Sequence, residues 1–156
     1  MIRPILVLLA LTAPLAAQDA DPGNQLVEGY MACLSGGGDD ALTGAVLDAL
    51  QWTRDEAGED GLINFYPGIG ESTLIYMADD GSFCHVESLS VGSATASEIL
   101  AATLNAEGGA AFEYAKDDMG CTRLDLDTGV TATITSGGND PVCGSDTDSA
   151  VRFAFQ

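Results

Sequence analysis

Basic residues are scarce in this chain: five Lys and Arg together, against 24 Asp and Glu, with a single histidine. A surface so acidic repels nucleic acid and anionic lipid at long range, which excludes nucleic acid as a partner. One histidine, His85, cannot build a multi-histidine metal site. No Cys-x-x-Cys pair is present, which removes the thioredoxin-like redox motif. Nor does the chain contain a Gly-x-Ser-x-Gly nucleophile elbow or a phosphate loop with its Lys-Ser/Thr end. After the first residues no long apolar run recurs, so no membrane insertion of the remaining chain is expected.

Those first residues read as a cleavable export signal. Arg3 supplies a positive charge ahead of the apolar run Ile5–Leu11, which is short of the roughly 20 residues a bilayer span needs. Leu15–Ala16–Ala17 then places small side chains at the cleavage position, and acidic residues begin abruptly at Asp19. No cysteine follows that position, so no lipid anchor is expected there. Residues 1–17 are therefore expected to be removed, leaving residues 18–156 as a single acidic α+β domain. Loss of Arg3 leaves Arg54, Lys116, Arg123 and Arg152 against all 24 acidic residues, moving the net charge from −19 to −20 with His85 neutral. Such a charge favours a cationic partner, or serves solubility in a salty medium.

Cys33, Cys84, Cys121 and Cys143 are an even number outside the signal, so two disulfides are expected once the chain leaves the reducing cytosol. The preferred pairing is Cys33–Cys84, pinning the first helix to the sheet, and Cys121–Cys143, closing a loop of about 20 residues worth about 3 kcal/mol. Spacings of 51, 37 and 22 residues lack the close pairs of a structural zinc site.

Along the domain, Pro22–Gly23–Asn24 suggests a turn before a helix bearing Leu26, Val27, Tyr30, Met31 and Leu34, stopped by Gly36–Gly37–Gly38. Asp39 or Asp40 caps a second helix whose expected buried stripe is Ala41, Leu42, Ala45, Val46, Ala49 and Leu50. Residues 54–61 read as a polar connection. A strand over 62–66 precedes the clearest unit, a hairpin of 74–79 and 82–87 around Asp80–Gly81. Its register should oppose Met77 to Cys84 and Ile75 to Val86, placing Tyr76, His85, Leu74, Glu87, Ala78 and Phe83 on the other face. Thr95 to Glu98 matches a capping box for a third helix with Ile99, Leu100, Thr103 and Leu104 inward, ended by Gly108–Gly109. A strand near 111–115 is broken by Lys116 to Gly120. A hairpin of 121–126 and 130–135 turns at Asp127–Thr128–Gly129, and a polar loop over 136–149 leads to a closing strand with Val151, Phe153 and Phe155 inward. Crossovers after the third helix are too short for parallel pairing, so the expected fold is α+β, an antiparallel sheet of about 6 strands with helices on one side.

Candidate chemistry is thin. His85 stands near Glu87 and could act as a base, but Ser82 and Ser88 lack a nucleophile context. Asp79–Asp80 and Asp117–Asp118 are paired carboxylates of the kind a glycoside hydrolase needs across a cleft. Asp125–Leu126–Asp127–Thr128–Gly129 is a calcium-loop fragment without its closing glutamate, so no metal or other cofactor is expected. The mixed face of the first hairpin, with Tyr76, Phe83, His85 and Glu87, is the expected interaction surface. The leading expectation is a secreted or periplasmic, non-catalytic protein that binds another macromolecule, a cationic protein or an envelope component. The alternatives are a small hydrolase using His85 or a carboxylate pair, and a carrier of a small ligand in an apolar pocket beside the sheet.

Overall fold

The structure, a computed structural model, describes residues 21–56, 60–70, 72–106, 111–138 and 141–156. The expected signal segment and the helix stop assigned to Gly108–Gly109 lie outside the described residues. Among the described residues there are three helices, α1 (Pro22–Gly36), α2 (Asp40–Ala49) and α3 (Ser93–Ala106). Eight strands accompany them: β1 (Thr53–Asp55), β2 (Leu62–Tyr66), β3 (Thr73–Ala78), β4 (Phe83–Ser88), β5 (Phe112–Lys116), β6 (Thr122–Leu126), β7 (Thr131–Thr135) and β8 (Ser149–Ala154). They form one antiparallel sheet in the order β1-β2-β3-β4-β8-β7-β6-β5. The chain lays down β1 to β4 as a meander, crosses through α3 to the far edge, and returns so that β8 joins the two halves at the centre.

The α+β class is as expected, but the sheet is wider. Short β1 falls in the segment expected to be a polar connection; Arg54 and Asp55 pair with Phe65 and Asn64 of β2. Helix α1 also starts earlier than expected, taking in the Pro22–Gly23–Asn24 segment read as a turn. Asp21 caps it, accepting the Gly23 N–H at 3.0 Å, and Pro22 takes the first position, where a missing N–H costs no intrahelical bond. The α1–α2 connection behaves as read: Gly37 ends α1 in the left-handed region, and Asp39 accepts the amides of Ala41 and Leu42.

Helix α2 is rotated relative to its apolar stripe. Thr43, Gly44 and Leu47 are buried, whereas Ala41, Leu42, Ala45, Ala49 and Leu50 are exposed. Small residues decide this. A methyl group on Gly36 would overlap Thr43 Oγ1, and one on Gly44 would sit 3.3 Å from the Arg54 guanidinium and 3.7 Å from the Phe65 ring. The helix therefore buries the side that lets its backbone approach α1 and the sheet most closely. Helix α3 begins at Ser93, two residues before the expected cap. Ser93 exchanges hydrogen bonds with Ser145, leaving Thr95 exposed in the first turn.

Both hairpins have the expected registers. Met77 opposes Cys84, Ile75 opposes Val86 and Tyr76 opposes His85. In the second, Thr122 opposes Ile134 and Leu124 opposes Ala132. The first turn is longer than a two-residue loop. Gly81 N–H bonds Ala78 O at 3.0 Å, and Gly81 alone takes positive φ (+74°) while Asp80 accepts the Ser82 amide. At the second turn Gly129 adopts φ +84° and bonds Leu126 O, as its position implied.

One row of the sheet, Phe65–Ile75–Val86–Val151–Ile134, faces the helices and is buried throughout. Leu26 and Tyr30 of α1 and Leu100 and Leu104 of α3 complete the same core. Cys33–Cys84 links α1 to β4, and Cys121–Cys143 ties the 136–148 loop to the start of β6; both are the expected pairs. Gly36→Ala should lower unfolding free energy by about 1–3 kcal/mol, because the added methyl has no room against Thr43. Combining it with Thr43→Ala should cost less than the sum of the two single changes in denaturant titrations.

Candidate functional site

On its helix-free face the sheet carries a cross-strand row of Asn64, Tyr76, His85, Arg152, Thr133 and Arg123. Alternation sends these side chains away from the core, since each adjoins a residue that packs inward. Tyr76 and His85 lie directly opposite each other, and their rings stack at 4.3 Å between centroids with 16° between planes. Phe83 meets the Tyr76 ring edge-on at 6.3 Å. Arg152, diagonal to Phe83 across β4 and β8, lays its guanidinium 4.2 Å from that ring centre. Cation–π contact of this kind holds an exposed arginine in one orientation.

Glu87 closes the cluster beside the 136–138 turn. Its Oε1 accepts the Gly138 N–H at 2.9 Å, and its Oε2 stands 3.9 Å from His85 Nε2. Gly137 packs so tightly there that a methyl would approach Glu87 Oε1 to 2.7 Å. All four expected residues, Tyr76, Phe83, His85 and Glu87, thus come together on one face. Arg152 is the member missed. Its place between inward Val151 and Phe153 showed that it points outward, but nothing local placed β8 against β4.

The electrostatics make His85 a weak base. Burial, aided by Arg152, pushes the His85 imidazole down to about 4. Glu87 would act in the opposite sense, but its nearer oxygen, Oε2, stands 3.9 Å from Nε2, beyond hydrogen-bond range, and its other oxygen is engaged by Gly138. Burial, then Glu87, raises the Tyr76 phenol, partly countered by Arg152. At neutral pH both rings are uncharged. Neither candidate serine reaches His85: Ser82 turns to Asp80, and Ser88 lies buried on the helix-facing side, accepting the Ser90 amide.

The other motifs resolve into structure. Asp79 and Asp80 form the exposed tip of the first hairpin, and Asp117 accepts the amides of Met119 and Cys121 in a turn. Asp125 of the calcium-loop fragment is engaged by Arg123 at 2.8 Å. Among the described residues no group of three His, Cys, Asp or Glu is placed to hold a metal.

Two clefts lie elsewhere. One, of about 490 Å³, runs between α1, α3 and the β6–β7 turn and is walled by Met31, Leu34, Leu104, Leu126, Val130 and Phe155, with no charged side chain in its lining. The other, of about 330 Å³, opens between the start of α1, the segment Leu50–Trp52 and the loop after β2. Neither was visible in the sequence, because each is assembled from segments that only the packing of α1 brings together.

The lowered His85 value carries a pH prediction. In the unfolded chain its imidazole titrates near 6.5, so below that pH the unfolded state binds the extra proton first. His85 therefore contributes stability that is intact above about pH 6.5 and is lost as pH falls toward about 4. The loss should reach on the order of 2–3 kcal/mol and vanish in His85→Gln, read as the difference between the two proteins' unfolding free energies across that window. No family model, curated protein or solved structure matches this chain.

Proposed function

We propose that this is an extracytoplasmic, non-catalytic protein that binds a macromolecular partner through the helix-free face of its sheet. The observation that carries the reading is the Tyr76–His85–Arg152–Phe83 cluster: planar side chains packed face-to-face and edge-to-face on a side of the sheet that none of the described helices covers. Aromatic and arginine side chains held in fixed rotamers supply contact area at low entropic cost and dominate many interface hot spots. The surrounding acidic surface would draw in a cationic protein or a basic envelope component, and the aromatic centre with its one oriented arginine would make the close contacts. Two disulfides and the signal-like first residues support a site of action outside the cytoplasm, secreted or periplasmic.

Affinity capture from the native extracytoplasmic fraction over a salt series tests this reading. A stoichiometric partner should be retained at low ionic strength and released as salt rises. It should be lost from a Phe83→Ala, Arg152→Ala protein whose melting temperature is unchanged. Absence of any stoichiometric partner at every ionic strength would sink the idea.

A second reading, a carrier of a small apolar molecule, is favoured by the uncharged 490 Å³ cleft. It predicts a retained ligand mass in native mass spectrometry of protein isolated from its source. That mass should disappear when Leu34→Glu places a charge in the lining.

A further inference from the structure

From the open edge at β5 we infer that a second copy of this chain pairs with it, strand to strand about a two-fold axis, so that two 8-stranded sheets become one. The sheet ends at β1 and β5. Strand β1 has three residues, and Arg54 at its centre is bound to Asp40 of α2 at 2.7 Å. Strand β5 has five residues, without proline or glycine, and only β6 lies beside it in the sheet. Asp117 N–H donates to Cys121 O, and Asp127 N–H to Ala111 O, both at 3.0 Å. These bonds bracket the β5–β6 ladder and fix its phase, so Glu113 and Ala115 turn their backbone groups toward β6. The N–H and C=O groups of Phe112, Tyr114 and Lys116 therefore point out of the sheet, with no backbone partner among the described residues. Such a row is a template for another strand.

Side chains select the occupant. Tyr114 is 62% exposed and meets the Phe112 ring edge-on at 5.7 Å, on the side of the sheet that carries buried Leu124 and Leu126. Glu113 and Ala115 lie on the helix-free side, opposite Asp125 and Arg123. Three two-fold registers engage more than one of the outward residues. One sets Glu113 against Glu113 of the second copy and another sets it against Asp117, so like charges meet. The third places Tyr114 on the axis. Glu113 then faces Ala115, Phe112 faces the stem of Lys116, and all six outward groups of each strand are paired.

Charge complements itself only in this third register. Glu113 has no ion pair among the described residues. The small Ala115 leaves Arg123, behind it on β6, open toward the second copy's Glu113. Two strand spacings, about 10 Å, separate those backbones, a gap that arginine and glutamate side chains bridge together. Asp125 engages Arg123 at 2.8 Å and leaves other guanidinium donors over. The net charge of −19 on each chain opposes approach, but salt screens that repulsion and leaves the strand hydrogen bonds. The pairing should therefore tighten as ionic strength rises, the reverse of the salt dependence expected for a partner on the helix-free face. It sets both helix-free faces on one side of the joined sheet and does not depend on what they bind.

Sedimentation velocity of the purified protein over a concentration series tests the pairing. In about 1 M sodium chloride a monomer–dimer equilibrium is expected, with a dissociation constant on the order of 10–100 μM for an interface below the standard size. In about 50 mM salt it should be at least about tenfold weaker. Tyr114→Pro should abolish the dimer and leave the melting temperature nearly unchanged, because the N–H it removes is an outward one. Ala115→Glu, which sets acid against Glu113, should weaken it at least about tenfold, and Ala115→Lys should tighten it. Under mild oxidation Tyr114→Cys should form an intermolecular disulfide, its two copies lying about 5.5 Å apart. Lys116→Cys should not, its copies being about 14 Å apart. The inference is overturned if the protein stays monomeric up to about 1 mM in high salt, if neither Tyr114→Pro nor Ala115→Glu weakens the dimer, or if Lys116→Cys crosslinks as readily as Tyr114→Cys. A monomeric protein that captures a different partner, lost only in Tyr114→Pro, would assign the edge to a foreign strand and overturn it as well.

Discussion

Helix α1 lies on β3 and β4 so closely that a methyl at Gly29 would come within 2.8 Å of Val86 and 3.1 Å of Ile75. This contact, secured one turn later by Cys33–Cys84, is the constraint on which the rest of the structure depends. It buries the inner side of the first hairpin and so commits Tyr76, Phe83, His85 and Glu87 to the other face. It also sets where the two ends of α1 lie. The first turn, with Gln25 and Glu28, meets Trp52 and Ile69 to form the polar cleft. The last turns, with Met31 and Leu34, wall the apolar one. A disulfide at this place constrains the unfolded chain across 51 residues, so it stabilises the docking as well as recording it.

Charge is distributed with a consistent logic. The few basic side chains outside the first residues are each occupied locally. Arg54 joins Asp40 of α2 to β1 at 2.7 Å, Arg123 holds Asp125, Lys116 donates to Thr122, and Arg152 rests on Phe83. The acidic excess is left largely to solvent, where it repels other copies and anionic surfaces without burdening the core. Against that field the uncharged patch around Tyr76 and His85 stands out. Burial keeps the imidazole neutral, so the face presents ring surfaces with a single oriented guanidinium instead of another carboxylate array.

Particular elements show how far the fold could be read in advance. The hairpin registers were legible because alternation on both sides of Asp80–Gly81 and Asp127–Thr128–Gly129 leaves one pairing that gathers Ile75, Met77, Cys84 and Val86, and likewise Leu124, Ala132 and Ile134, on a single face. The closing strand was legible for the same reason. Helix α2 was not, because alanine counts as apolar in a periodic stripe yet buries little surface. Close approach at Thr43 and Gly44 outweighed it. Strand β1 was hidden by its charge: three residues with Arg54 at the centre look like loop until β2 offers them a ladder. The capping pattern at Thr95 lost to the Ser93 hydroxyl, which donates to the Ser145 carbonyl and accepts the Ser145 amide, from a residue far along the chain.

Local chemistry therefore determined the fold class, the presence of two disulfides, the faces of the hairpins and four of the side chains now seen in one cluster, while the structure chose the preferred one of three possible cysteine pairings. Each of these rests on periodicity, turn geometry or cysteine count, which act over a few residues or need no coordinates. Only the tertiary structure decided that β8 runs between β4 and β7, which brings Arg152 onto Phe83 and beside His85. It alone assembled both clefts. The reason is physical: strand order and cavities follow from how buried surfaces of distant segments fit against one another, and no local pattern encodes that fit.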